Sequence, residues 1–344
     1  MAQASATTDL LITAGNFSLD DALNPDGEQG AAPGGDALYS AVGAAIWRYP
    51  VAPLSRVGAD YPVGFTERIA RLGIGIDMIH RVAGPTVHYR ITNANTGERQ
   101  YEHLTPARRL HELSPHGRDL DAVRRATWAH VAAMPIDLQA GVITRCRAEG
   151  VPYSLDPHEE YIVGHETRLY ELIKDSVFMP SELEVGLMFP DLMGDWAPET
   201  MAPEAASRLL ELGARAVAIK LGAWGCFVAD SSFQAALRAL PIKVVDSIGA
   251  GDAFCGGFLA GYLRTDCLLV GAVCGSASAA HVIKGFGAFH SEFPTPETLR
   301  EQSAFLLGEV EGPSGPWNLL DTHFPWLAPR PSLRSLAGRD QTAG

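Results

Sequence analysis

The chain is short of positive charge: 27 lysines and arginines stand against 40 aspartates and glutamates, a formal net charge of −13 over 344 residues. No Lys/Arg-rich block offsets this locally, so a phosphate backbone would be repelled. Nucleic acid is not an expected partner. Long apolar runs are also missing, since no stretch reaches the roughly 18 to 20 residues that a membrane helix needs. The N-terminal segment carries no basic leader ahead of its short apolar run, and a cytoplasmic protein without a membrane partner is expected. The five cysteines, Cys146, Cys226, Cys255, Cys267 and Cys274, form no C-x-x-C pair and have no histidine at zinc-finger spacing. They read as reduced core thiols. Internal repeats, low-complexity tracts and the G-x-x-x-x-G-K-[ST] phosphate loop are absent too.

What is present suits a large globular body, with 47% apolar and 19% charged residues. Leu10 to Ala14 reads as a buried strand that opens at Gly15 into the loop running to Asp20, the strand end where α/β proteins place ligands. After Gly34 and Gly35, the segment Asp36 to Tyr49 has helical spacing. Val51 to Val57 reads as a strand and Phe65 to Leu72 as a helix, while Thr86 to Thr92 and Arg99 to Leu104 alternate as a polar-faced hairpin. From Leu120 onward helix and strand units alternate, which argues for a parallel sheet covered on both faces. The tail from Gly312 is rich in Pro, Trp and Arg and is expected to wrap the surface or to make a contact that the sequence does not assign.

The segment Asp246-Ser247-Ile248-Gly249-Ala250-Gly251-Asp252-Ala253-Phe254 carries the chemistry. Small residues at Gly249, Ala250 and Gly251 let consecutive backbone N–H groups converge, and the apolar helix that follows adds the positive end of its dipole. Such a turn suits an anion. Asp252 then serves either as a stabilising cap or, beside a bound phosphate, as a base toward an attacking hydroxyl.

This segment resembles the C-terminal signature D-[TS]-x-G-A-G-D-x-F of the PfkB, or ribokinase-like, carbohydrate kinases. Other matches follow in the family's order: Gly15 with Asp20, the pair Gly34-Gly35, Arg56 to Asp60, Thr96 to Arg99, and Lys220 to Gly225 with Gly222 and Gly225 in the turn. The resemblance implies a doubly wound, mostly parallel α/β sheet flanked by helices. Residues 1–311 would form the kinase domain, with a small β lid from about 15–33 and 86–104, and 312–344 would be a C-terminal extension. It further implies transfer of the γ-phosphoryl group of ATP to a hydroxyl of a sugar or polyol. Asp252 would be the general base, and Gly249, Ala250 and Gly251 the anion hole.

Asp20, Gly34, Gly35 and Tyr39 would contact the acceptor, and Lys220, Gly222, Gly225 and Ser276 the nucleotide. Lys220 is otherwise a solvated strand-end lysine. Glu184 would reach Mg2+ through water. Asp246 would either help hold a monovalent cation such as K+ or merely order its turn. A homodimer through the lid sheet is implied as well.

Three departures concern the acceptor. Tyr39 stands where the family has an asparagine, and either hydrogen-bonds a larger acceptor or packs its helix. Ser181 replaces the amide of the N-x-x-E motif while Glu184 keeps its carboxylate. Met134-Pro135-Ile136 lacks the acid that contacts ribose in ribose-type members. A nucleoside kinase of the same fold is therefore the alternative to a sugar or polyol kinase. A ligand sensor without catalysis is a second alternative, and the intact Asp252 argues against it. His158 and His165 read as surface residues.

Overall fold

The computed structural model describes residues 9–24, 27–93, 99–193, 197–308 and 315–327. The first strand, β1 (Leu11–Ala14), is wholly buried, and its side chains alternate between two apolar clusters: Leu11 belongs to one, Ile12 and Ala14 to the other. That two-sided burial is the reason for its unbroken apolar run. In chain order the remaining strands are β2 (Ser18–Asn24), β3 (Gly27–Gly34), β4 (Val51–Val57), β5 (Ile79–Arg81), β6 (Val87–Asn93), β7 (Arg99–His103), β8 (Trp128–Val131), β9 (Tyr153–Leu155), β10 (Val177–Phe178), β11 (Ala216–Lys220), β12 (Cys226–Asp230) and β13 (Gln234–Leu237).

Nine of them form one sheet in the order β13-β12-β11-β10-β9-β8-β1-β4-β5. Pairing is parallel from β11 across to β5 and antiparallel at the β11, β12 and β13 edge. Helices cover both faces, giving the expected doubly wound α/β body. The lid is a separate four-stranded sheet, β3-β2-β6-β7. The expected lid turn at Thr96, Gly97 and Glu98 lies outside the described residues.

One face is built by the helices Asp36–Ile46, Ala250–Thr265 and Leu268–Val282, whose buried residues share the cluster of Leu11. The first two cross almost backbone to backbone, because a Cβ on Gly256 would sit 1.8 Å from the Ser40 carbonyl oxygen. This close approach fixes where the helix Ala250–Thr265 begins, and so where the anion turn lies. The expected helix to Tyr49 stops at Ile46 instead. The Trp47 indole N–H there donates to the Cys274 carbonyl at 3.0 Å, and Arg48 takes a positive φ of 53°. Tertiary contact overrides the periodic pattern.

Residues 315–327 pack into the same cluster through Leu320, Phe324 and Leu327. Phe324 meets Trp47 edge-on with ring centroids 5.4 Å apart, and the Arg264 guanidinium lies 5.0 Å from both Tyr49 and Phe324. Four of the five cysteines are buried, Cys267 is half-buried, and all are free thiols. Among the described residues no helix is long and apolar enough to cross a membrane.

Candidate active site

A cleft of about 390 Å³ opens over the C-terminal ends of the parallel strands, between the body and the lid sheet. It gathers most of the residues singled out from sequence: Asp20, Gly35, Tyr39, Glu184, Lys220 and the run Gly249 to Asp252 all line it. Gly34, Gly222, Gly225, Ser276 and Asp246 are not part of its wall. Gly222 and Gly225 form the turn between β11 and β12 just beyond Lys220. Ser276 faces that turn's far end, its Oγ 3.9 Å from Cys226 Sγ. The Asp246 carboxylate accepts the Ile248 N–H at 3.0 Å, which orders the loop leading into the anion turn.

Gly249 caps the helix Ala250–Thr265 in the left-handed region, with φ 72°, and the ring of Tyr39 packs against its Cα. Tyr39 is 2% exposed, so packing is one settled part of its role. The first N–H groups of any helix have no intrahelical acceptor; here that of Ala250 makes a long bond of 3.4 Å to the Ser247 carbonyl, and Gly249 to Asp252 line the cleft. Gly34 has a different cause: a Cβ there would lie 1.8 Å from Asp20 Oδ2, so the residue is bare because the Asp20 carboxylate occupies that space. Asp20 Oδ1 and Asn16 Nδ2 are buried without hydrogen-bond partners and belong to cleft-lining side chains, one a ready acceptor and the other a ready donor for ligand hydroxyls. Asn16 was missed in the sequence reading.

The electrostatics are dominated by carboxylates. Burial, then the neighbouring Asp156, push Asp252 up to about 7, against the pull of Lys220. Burial pushes Asp20 up to about 7, opposed by a hydrogen bond from Ser18. It pushes Glu184 up to about 8, with Lys220 opposing and Asp156 adding. Asp36 is held well above the usual carboxylate range by burial and by Asp252, Asp156 and Asp20. Asp252 makes no ion pair among the described residues. Glu184 is partly committed, because its Oε2 accepts the Ser181 N–H at 2.5 Å in a capping box for its own helix.

Lys220 differs from the solvated strand-end lysine of the sequence reading. It is buried, and its Nζ donates to both oxygens of Asp156 at 2.6 and 2.7 Å. Burial works against the ammonium, but Asp156, with Cys255 and Glu184, keeps it charged well above the normal range. Asp156 is the main site residue that sequence reasoning missed; the available signal was an acid placed immediately after a buried strand, Tyr153 to Leu155. His158 is a correction as well. With Glu159 and Glu160 it lines the cleft rather than lying on open surface, because the loop after β9 turns back over the strand ends. On the lid side the cleft is lined by Val87, Tyr89 and His103, with the last two rings edge-on at 4.8 Å.

The arrangement sets a helix N-terminus beside a carboxylic acid, and it offers buried polar atoms to a hydroxylated ligand. Those are the parts that phosphoryl transfer to a hydroxyl requires. The chain belongs to the pfkB family of carbohydrate kinases, whose sequence profile matches residues 4–295. It is similar to cytidine kinase of Thermococcus kodakarensis, 29% identical over 283 residues that cover 80% of this chain and 97% of that protein. Its fold is similar to that of Arabidopsis thaliana ribokinase complexed with ribose and ATP, with a TM-score of 0.66, 20% identity, and coverage of 86% of this chain and 98% of that one. The nucleoside kinase of Burkholderia thailandensis in complex with inosine gives a TM-score of 0.68 at 18% identity, covering 87% and 99%. As a member of this family the protein is a kinase that phosphorylates a hydroxyl group.

Proposed function

We propose that the protein transfers the γ-phosphoryl group of ATP to the primary hydroxyl of a nucleoside, with a free sugar or polyol as the second reading. The observation that carries the reaction is Asp252: it lies in the first turn of the helix Ala250–Thr265, lines the cleft, and has no ion-pair partner among the described residues. Its carboxylate accepts the proton of the acceptor hydroxyl as that oxygen bonds to the γ-phosphorus. The bond from the γ-phosphorus to the bridging oxygen breaks, and ADP leaves with the electron pair. The N–H groups around Gly249, Ala250 and Gly251 face the charge on the transferring group. In this reading the nucleotide would lie toward Lys220 and the turn of Gly222 and Gly225, with Ser276 beyond it.

The donor set fits magnesium, since the cleft offers hard carboxylate oxygens that repel one another, and Glu184 would hold the ion through water. When bound, magnesium supplies positive charge to the nucleotide phosphates. Two observations favour a nucleoside acceptor. The Tyr89 and His103 rings give the lid wall an aromatic surface suited to a flat heterocycle, while Asp20 and Asn16 suit ribose hydroxyls. The cytidine kinase relative is matched over nearly its whole length. The test is coupled ATP consumption with cytidine, adenosine, inosine, pentoses, hexoses and polyols, with Asp252→Asn as blank. A nucleoside should give the highest kcat/KM. A sugar or polyol at least tenfold better than every nucleoside would overturn the choice in favour of the second reading.

A further inference from the structure

Two positively biased features converge under the anion turn: the helix mouth itself and the ammonium of Lys220. A Cβ on Gly251 would lie 3.5 Å from Lys220 Nζ, so the ammonium sits directly beneath the turn that carries Asp252. An ammonium this close to a lone carboxylate would form an ion pair with it, and a base held in such a pair accepts protons poorly. In the structure that pair is absent. Lys220 is bound at 2.6 and 2.7 Å by both oxygens of Asp156, at a site where the two side chains are 13% and 4% exposed. The Cys255 thiol also donates to Asp156 Oδ2 at 3.4 Å, with its Sγ 3.9 Å from Lys220 Nζ.

We propose that Asp156 is a positioning residue for phosphoryl transfer: by capturing Lys220 it keeps the ammonium from pairing with Asp252 and leaves that carboxylate free to take the acceptor proton. The inference rests on the reading of Asp252 as base. Asp156 is suited to the task because it directly follows β9 while Lys220 ends β11, the two strands that flank β10. The bond between them spans the strand ends below the cleft floor, so the capture is fixed by the sheet and not by a mobile loop. Burial makes it hard to undo, since separating the partners would leave two charges without water. The groups that face Asp252 are Asp156 after β9, Glu159 in the loop beyond it, Lys220 on β11 and Asp36 on the helix Asp36–Ile46, with Cys255 one turn further along its own helix. Lys220 alone among them is cationic. Its disposition therefore decides whether Asp252 is paired.

The test is the pH dependence of kcat in four proteins: the parent, Asp156→Asn, Lys220→Met, and the double variant, which is neutral at both positions. In Asp156→Asn the ammonium turns to Asp252, so kcat should fall about 10- to 100-fold and its acid limb should move down by about one pH unit. In Lys220→Met the limb should move up, because Asp156 then repels the charged form of Asp252. The double variant should return the limb toward the parent value. A purely structural Asp156 would lower Tm but leave the limb in place, and loss of its negative charge alone would lower the limb without lowering kcat on the alkaline plateau, so an unmoved limb or an undiminished plateau in Asp156→Asn overturns the proposal. If Asp156→Asn does not fold, the same limb in Lys220→Met and in the double variant overturns it. Asp252→Asn separates the two readings: full turnover in that variant removes the base, whereas lost turnover with unmoved limbs removes only the role of Asp156.

Discussion

The ring of Tyr39 fills the space that a side chain at position 249 would need, its atoms coming within 2.3 Å of an ideal Cβ there. Gly249 also has φ 72°, a region that an L-residue enters at a cost of about 1–2 kcal/mol. Two independent constraints thus converge on one glycine, and the tyrosine that replaces the family's asparagine is what tightens the second. Gly249→Ala should lower Tm clearly and reduce turnover at least 10-fold, because the turn must shift to relieve the overlap. Adding Tyr39→Ala should recover part of the Tm, since only the steric component is relieved. Thermal melts check both, and an unchanged Tm in Gly249→Ala would contradict the packing account.

Asp252 must be ionised to accept a proton. With its value pushed up to about 7 by burial and Asp156, turnover should fall as pH drops through about 7 and level off above 8. Asp252→Asn should cost on the order of 10² to 10⁴ in kcat and leave ATP affinity within a few-fold of the parent. Steady-state profiles from pH 5.5 to 9, with calorimetric titration of ATP, provide the measurement.

Stability should follow pH in the opposite direction. Asp20, Glu184 and Asp252 all hold their protons more tightly in the folded chain, with values of about 7, 8 and 7, than the roughly 4 of unfolded carboxylates. Groups raised on folding contribute stability that is complete below the unfolded value and lost as pH rises through the folded one. The ligand-free protein should therefore melt several degrees lower at pH 8.5 than at pH 6. Scanning calorimetry in low-salt buffers checks the sign.

Asp20 presents an unpartnered, buried Oδ1 in a side chain that lines the cleft, and Gly34 is bare so that its carboxylate fits. If that oxygen receives an acceptor hydroxyl, Asp20→Ala should raise the acceptor KM at least 10-fold while the KM for ATP stays constant. Initial-rate kinetics with each substrate varied in turn separate the two effects.

The turn Gly249 to Asp252 was legible because it is specified locally, by small residues with an apolar helix after them; the strand expected before it is absent, since β13 ends at Leu237 and the exposed Val244 and Val245 lie in the connecting loop. The two-sided burial of β1 and the alternating hairpin of β6 and β7 were legible for the same reason. Asp156 was not, since its meaning comes from Lys220, 64 residues later, which reaches it only through the sheet order. The weak strand β13 and the three-residue β5 escaped notice because one is largely exposed and the other short and polar. The helix Arg108–Leu113 and the 3-10 stretch Gly117–Arg125 passed unread too, lacking a continuous apolar stripe. The tail from Gly312 showed only a composition rich in Pro, Trp and Arg, and the partners of its described part, Trp47 and Arg264, lie far upstream.

That tail leads to the last prediction. Phe324 is fully buried against Trp47, and Arg264 lies between Tyr49 and Phe324 while donating at 2.6 Å to the carbonyls of Trp47 and Arg48. Those carbonyls follow the helix Asp36–Ile46, the same helix that carries Tyr39 to the anion turn. Truncating the ring removes apolar contact and leaves a cavity that rigid neighbours cannot close, so Phe324→Ala should cost about 3–5 kcal/mol in urea unfolding. Phe324→Leu should cost less, because it retains most of the volume. Arg264→Met keeps the aliphatic stem against both rings but leaves two carbonyls without their donor, so it should cost about 1–3 kcal/mol. If Phe324→Ala unfolds at the parent's urea midpoint, residues 315–327 are not part of the folding unit.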